Sequence, residues 1–118
     1  MRIDIQSCGF VLTDALREYA ERRLRFALTH ADQRVRRVTM RLFDVNGPRG
    51  GIDKCCRIQV MLNGLAEVVI ADTEADLYVA IDRAADRIGR TVARRLARES
   101  ESVRPDEPRD AAGARTDL

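Results

Sequence analysis

The sequence has no tryptophan, a single histidine and few aromatic residues, and these shortages limit the chemistry it can perform. His30 could act as a catalytic base only for a serine or cysteine nucleophile, and no serine or cysteine lies in a recognisable nucleophile turn. Nucleophilic catalysis therefore has no candidate residues. The three cysteines are an odd number without a secretion signal, which predicts reduced thiols, and none belongs to a Cys-x-x-Cys or Cys/His metal spacing. We therefore expect a protein that is not an enzyme and that carries no metal or cofactor.

Long hydrophobic runs are also missing. No stretch of about 18 apolar residues is present to span a membrane, and the N-terminal MRIDIQS lacks the apolar segment of a signal peptide. The length of 118 residues suits one domain with a single core. These features predict a cytoplasmic protein without membrane contact.

Lysine is nearly absent: Lys54 is the only one, and arginine carries the remaining positive charge. The planar guanidinium group suits phosphate oxygens better than the point charge of lysine does. Lys and Arg outnumber Asp and Glu by 18 to 13 over residues 1–98, whereas residues 99–118 hold 3 against 6. With Pro105, Pro108 and few large apolar residues, that end of the chain predicts a disordered acidic tail over 100–118 behind a basic domain over 1–99.

The stretch 76–98 has the most informative periodic pattern in the chain. Apolar residues recur there at steps of three and four, the spacing that stacks side chains on one face of an α-helix. Thr73 and Asp76 have the spacing of a capping box, which predicts where the helix starts. The predicted buried stripe comprises Leu77, Ile81, Ala84, Ile88, Val92 and Leu96.

A second stripe of the same helix consists of arginines. Its members are Arg83, Arg87, Arg90, Arg94 and Arg98. Neighbouring like charges on an isolated helix each cost roughly 0.2–0.5 kcal/mol, and only Asp86 lies where it can relieve them locally. The stripe therefore costs on the order of 1–2 kcal/mol until a polyanion is bound. A nucleic-acid interface and a solvated basic face are equally compatible with this pattern.

Period-two alternation predicts four strands, and a first helix begins at the N-cap Thr13 with Asp14 in its first turn. The predicted strands cover residues 2–6, 34–43, 54–62 and 66–71, with a type I′ turn at Asn63-Gly64 between the last two. The order is βαβββα, an α+β fold. We expect a four-stranded mixed sheet with both helices packed on one face, the first two strands parallel and the rest antiparallel.

Two further basic surfaces follow from this topology. The first helix carries Arg22 and Arg23, with Glu18 and Glu21 as counter-charges. The uncovered sheet face is predicted to be half basic and half apolar. Its main members are Arg37, Arg41, Arg57, Phe43, Met61 and Val69.

The loop Asn46–Gly51 resembles a phosphate-binding loop in composition only. It lacks the GxxxxGK[ST] spacing and precedes a strand, not a helix. Arg49 and the neighbouring Lys54 are candidates for contact with an RNA backbone, and a plain hairpin connection is the alternative.

Two short stretches resemble a known family. They are Thr13-Asp14-Ala15-Leu16-Arg17-Glu18-Tyr19 and Asp76-Leu77-Tyr78-Val79-Ala80-Ile81-Asp82. With the order of elements, the sequence resembles the short form of the ribosome hibernation-promoting factor and ribosome-associated translation inhibitor family over about residues 2–98. The resemblance implies the βαβββα fold and a partner in the small ribosomal subunit. When the two motifs are aligned with those of the family, the residues implied to contact ribosomal RNA are Arg87, Arg90, Arg94 and Arg23.

The implied function is a translation inhibitor that binds small-subunit RNA and blocks the mRNA and tRNA sites under stress. Ser7-Cys8-Gly9-Phe10 departs from the family's usual histidine-containing segment, and Arg83 stands where many members have an apolar residue. Two alternatives remain open. One is an RNA-binding module for another structured RNA, because the element order contains that of double-stranded-RNA domains. The other is a homo-oligomeric protein, a weak homodimer through the open sheet face.

Overall fold

The computed structural model describes residues 1–45 and 53–102 of the chain. The elements are β1 (Arg2–Cys8), α1 (Asp14–Ala27), a single 3-10 turn (Thr29–Ala31), β2 (Val35–Asp44), β3 (Lys54–Leu62), β4 (Val68–Glu74) and α2 (Leu77–Ser102). The order βαβββα confirms the α+β prediction.

The four strands form one mixed sheet in the order β1-β2-β3-β4. β1 runs parallel to β2, and the other two pairs are antiparallel. One row of the register joins Ile5, Met40, Ile58 and Ile70. Because side chains alternate along each strand, this row and the rows two residues away on either side point to the same face of the sheet and make that face apolar.

Both helices cover that apolar face, as predicted. From α1, Leu16, Ala20 and Leu24 are buried, and from α2 the buried side chains include Ile81 and Ile88. They join the strand residues in a single core cluster. The apolar stripe of each helix therefore fixes which helical face is left for solvent.

The two helices approach closely at Gly89 on α2. A Cβ atom added there would lie 2.8 Å from the backbone oxygen of Ala27 at the end of α1. Such a distance is too short for a real contact, so the missing side chain permits the backbones to come this near.

The predicted start of α2 was wrong. Thr73 is not a cap: it lies in β4 and pairs with Cys55. Asp76 caps the helix instead, since its Oδ1 accepts a hydrogen bond from the backbone N–H of Tyr78 at 2.8 Å. The pairing of β4 with β3 continues through residues 72–74, and this tertiary pairing overrides the local helix-start signal.

The predicted two-residue turn was also wrong. Val60 pairs with Val68, so residues 63–67 form a longer connection between β3 and β4. Gly64 has a φ of 76°, but the backbone N–H of Asn63 donates to the oxygen of Arg34 at 2.9 Å. That hydrogen bond ties the connection to the start of β2 in place of a tight turn.

The ends of the predicted segments differ in smaller ways. β1 continues to Cys8, and α2 continues to Ser102, into the stretch predicted as tail. Arg49, the rest of the Asn46–Gly51 loop and residues 103–118 lie outside the described residues, so the predictions made for them stay predictions.

Candidate nucleic-acid interface

The arginine stripe lies on the solvent side of α2, opposite the apolar stripe that fills the core. Its members, all five of them exposed, are Arg83, Arg87, Arg90, Arg94 and Arg98. The predicted sidedness of the helix is therefore present in the fold, because burying Ile81, Ile88 and Val92 turns the arginines outward.

The first two arginines of the stripe find acidic partners on β4, an edge strand. The Nε of Arg83 lies 3.5 Å from Glu74, and Nη1 of Arg87 lies 3.8 Å from Asp72. Nη1 of Arg87 also donates to the backbone oxygen of Ala71 at 2.8 Å. Both ion-pair distances are long and both guanidinium groups are largely exposed, so these ion pairs contribute little stability.

The middle of the stripe has no such partners. Among the side chains of residues 1–45 and 53–99, no carboxylate lies at ion-pair distance from Arg90 or Arg94. Arg94 makes only a marginal contact, 3.5 Å from its Nη2 to Oγ1 of Thr91. Within the stripe, these two guanidinium groups are the most available for an external anion.

Arg23 on α1 is used differently. Its Nε donates to Oδ1 of Asp82 at 2.9 Å, its Nη2 donates to the backbone oxygen of Asp82 at 3.3 Å, and Asp86 lies 3.6 Å away. Desolvation alone would lower the pKa of Arg23, but the hydrogen bond and charge of Asp82 raise it overall. Contact of Arg23 with RNA stays a prediction, although its guanidinium already joins α1 to α2.

Asp82 and Asp86 of α2 both contact the other helix. The sequence suggested that Asp86 relieves arginines on its own helix, yet its carboxylate, like that of Asp82, lies near Arg23 of α1. The partial neutralisation of the α2 stripe comes from β4 instead. Both sets of contacts join residues that are far apart in the sequence or lie on different elements, so a helical pattern within α2 alone does not reveal them.

The two family-like stretches meet at this helix junction. The hydroxyl of Tyr19 donates to Oδ1 of Asp82, and this hydrogen bond, together with burial, raises the pKa of the tyrosine. The ring of Tyr19 contacts that of Tyr78 edge to face, with centroids 4.9 Å apart. Both motifs thus have a structural explanation, because they hold α1 against α2.

Arg22 and Arg25 complete the basic surface of α1. The guanidinium of Arg22 lies 5.9 Å from the centroid of the Tyr19 ring, within cation–π range. Arg25 donates to Glu21 at 2.9 Å, one turn earlier on the helix. Two of the four arginines of α1, Arg23 and Arg25, thus make ion pairs within the fold.

The open sheet face carries a separate basic surface on the opposite side of the sheet. Arg37 donates to Asp4 at 2.9 Å, whereas Arg41 and Arg57 are direct cross-strand partners in the register of β2 and β3. Directly opposed like charges destabilise a strand pair. Because the sheet separates this surface from α2, the predicted RNA-binding residues do not form one continuous patch.

Lys54 is the first residue of β3, where its register partners are Asp44 on β2 and Glu74 on β4. Its ammonium group is 3.1 Å from Asp44 and 3.5 Å from the fully buried Asp53. The hydrogen bond to Asp44 is the main reason that its pKa is raised. Its assignment as an RNA contact stays a prediction.

Other kinds of site lack support in the described part of the chain. No group of three or more potential metal-ligating side chains occurs there, and no described helix has the length and apolarity needed to cross a membrane. The three cysteines are free, and burial raises the pKa of the Cys56 thiol, which keeps that thiol protonated.

Sequence patterns missed two residues near the stripe. Phe26, at the end of α1, is 78% exposed, and Arg95 donates to the backbone oxygen of Ala66 at 3.3 Å. Neither fits the periodic pattern of its helix, so no local signal identified them.

The fold and surface define a small α+β domain whose final helix presents a row of arginines. Over residues 3–100 the sequence matches the family described as sigma 54 modulation protein / S30EA ribosomal protein, and the chain belongs to that family. This confirms the resemblance inferred from the two motifs.

Two solved structures are similar to the chain. The N-terminal domain of Protein Y from Thermus thermophilus is 31% identical with a TM-score of 0.66, covering 80% of this chain and 98% of that one. A ribosomal subunit interface protein from Coxiella burnetii is 18% identical with a TM-score of 0.71, covering 82% and 99%. At that lower identity the likeness concerns the fold alone. No curated protein matches the sequence.

Proposed function

We propose that the protein binds the RNA of the small ribosomal subunit through the α2 arginine stripe and inhibits translation by occupying the mRNA and tRNA sites. The observation that carries this proposal is the pair Arg90 and Arg94 on the outer face of α2, which have no carboxylate partner among the described residues. Membership of a family described partly as S30EA ribosomal protein supports a ribosomal partner.

The mechanism is occupancy and requires no chemical step. Phosphate oxygens satisfy the guanidinium groups and remove the like-charge repulsion along the helix. While the domain stays bound, mRNA and tRNA are sterically excluded, so ribosomes are stored idle in the cytoplasm during stress. Release restores the free sites without any covalent change.

The direct test is the salt dependence of binding to purified small subunits. If about five phosphates are neutralised by the stripe, with a slope of about −0.7 each, affinity falls roughly a hundredfold between 50 and 200 mM salt. Binding that ignores salt would contradict the proposal. Subunits preloaded with mRNA and tRNA should resist binding, whereas simultaneous binding of all three would disprove site blocking.

The two alternatives predict different results in the same assays. A general module for structured RNA would bind an unrelated duplex as tightly as it binds the small subunit. A homodimer through the open sheet face would appear in light scattering, with Met61 and Val69, each 39% exposed, as its apolar contacts. The opposed Arg41 and Arg57 on that face work against such pairing.

A further inference from the structure

A shallow groove lies between the end of α1 and the middle of α2. Phe26 and Ala27 line it from α1, His30 from the 3-10 turn, and Asp86, Gly89, Arg90 and Ala93 from α2. Gly89 and the two alanines have small side chains or none, so the groove is shallow. A larger residue at Gly89 would collide with the backbone oxygen of Ala27. The groove is therefore open, narrow and partly floored by backbone.

The walls of this groove combine an exposed aromatic ring with an available cation. Phe26 is 78% exposed, although most phenylalanines of small domains are buried. Arg90 lines the same groove and has no ion-pair partner among the side chains of residues 1–45 and 53–99. Asp86, the one acid on the groove, lies 3.6 Å from Arg23 and is thereby partly neutralised.

An aromatic face beside a guanidinium complements a nucleotide, which carries a flat base next to a negative phosphate. We propose that this groove binds one unpaired nucleotide of RNA, with its base stacked on Phe26 and its phosphate against Arg90. This inference deepens the proposed function and rests on it. Stacking on the ring contributes binding affinity that does not depend on salt concentration. The contact between the arginine and the phosphate contributes affinity that falls as the salt concentration rises.

The absence of tryptophan from the chain makes a clean test possible. In Phe26→Trp the indole is the sole tryptophan, and a stacked base quenches its fluorescence. We expect quenching when the full chain is titrated with a short single-stranded oligouridine, which has no tryptophan of its own. Val11→Trp, at a site that is 81% exposed and outside the groove, should show none. Equal quenching in both variants, or no quenching in Phe26→Trp while binding occurs, would overturn the proposal.

Affinity measurements separate the roles of the two residues. Phe26→Ala should weaken binding to small subunits about 5- to 100-fold with an unchanged salt slope, and Phe26→Tyr should restore most of it. Arg90→Gln should lower the salt slope by about 0.7. Val11→Ala is the matched apolar control and should bind like the wild type.

The outcomes distinguish this inference from the proposed function. Wild type that fails to bind small subunits at all contradicts both. Wild type that binds, with Phe26→Ala binding equally well, contradicts only the nucleotide groove. A change in oligomeric state with Phe26→Ala, without loss of RNA binding, assigns the groove to a second copy of the chain and also overturns the inference.

Discussion

Both helices carry several arginines, but the arginines of α1 and those of α2 have different surroundings. On α1, Arg23 contacts two aspartates of the other helix, and Arg25 contacts Glu21. On α2, Arg90 and Arg94 have no carboxylate within the described residues. The first set is occupied within the fold, and the second remains available to a partner.

This difference shows that a basic helix is not in itself an interface. A guanidinium that is already paired must lose its partner before it binds a phosphate, whereas an unpaired one gains a partner. We infer that α1 contributes chiefly to holding the helices together and α2 chiefly to binding. Variants in the two helices should therefore affect different measurements.

The largest expected effect is on binding through α2. Arg90→Glu combined with Arg94→Glu should weaken association with small subunits about 100-fold or more, because two phosphate contacts become repulsions. The melting temperature should stay within about 2 °C, because both side chains lie on the solvent side of the helix and make no ion pair with a described side chain. Co-sedimentation and circular dichroism melting measure the two quantities.

The matched control reverses the charge of two exposed arginines outside the stripe. Arg17→Glu combined with Arg36→Glu makes the same change in net charge at positions outside the stripe. It should reduce affinity only a few-fold, through the general field of the protein. If both double variants lose affinity equally, net charge and not the α2 stripe controls binding.

An intermediate effect is expected on stability through α1. Asp82→Asn removes the charge that holds Arg23 and weakens the hydrogen bond from Tyr19, so the free energy of unfolding should fall by about 1–2 kcal/mol. Urea denaturation measures this loss. Affinity for small subunits should change by less than about threefold, since the stripe is untouched.

Asp86→Asn is the comparison for that variant. The Asp86 side chain is 64% exposed and lies farther from Arg23, so its loss should cost under about 0.5 kcal/mol. A larger cost for Asp86→Asn than for Asp82→Asn would show that the helix junction depends on the outer carboxylate.

The smallest effect concerns the end of α2 and its dependence on pH. Nη1 of Arg34 donates to Glu99 at 2.7 Å, and this hydrogen bond lowers the pKa of Glu99 from 4.5. The stabilising contribution is present above 4.5 and disappears as the pH falls through the lowered pKa of the folded state. Glu99→Gln should therefore melt slightly below the wild type at pH 7. The gap should close at strongly acidic pH, and a gap that persists there would exclude this ion pair as its cause.

Much of the fold was predictable because it depends on local periodicity. Alternation over β2 and β3 and the apolar stripe of α2 are repeated many times in the sequence, so single exceptions do not obscure them. The start of α2 was not predictable in this way. Thr73 is an acceptable cap residue and an acceptable strand residue, and pairing with Cys55 decided between the two.

The candidate site was predictable as a stripe but not as a set of available charges. The sequence by itself determined the order of elements, the two-sided character of α2 and the family, because each depends on spacing along one segment. Only the tertiary structure decided which charges are paired: Asp82 and Asp86 contact Arg23, and acidic residues of β4 partly neutralise Arg83 and Arg87. The tertiary structure also decided that Phe26 lines a groove with Arg90. Ion pairs and grooves join residues that are distant in sequence, and their geometry exists only after the helices have packed on the sheet.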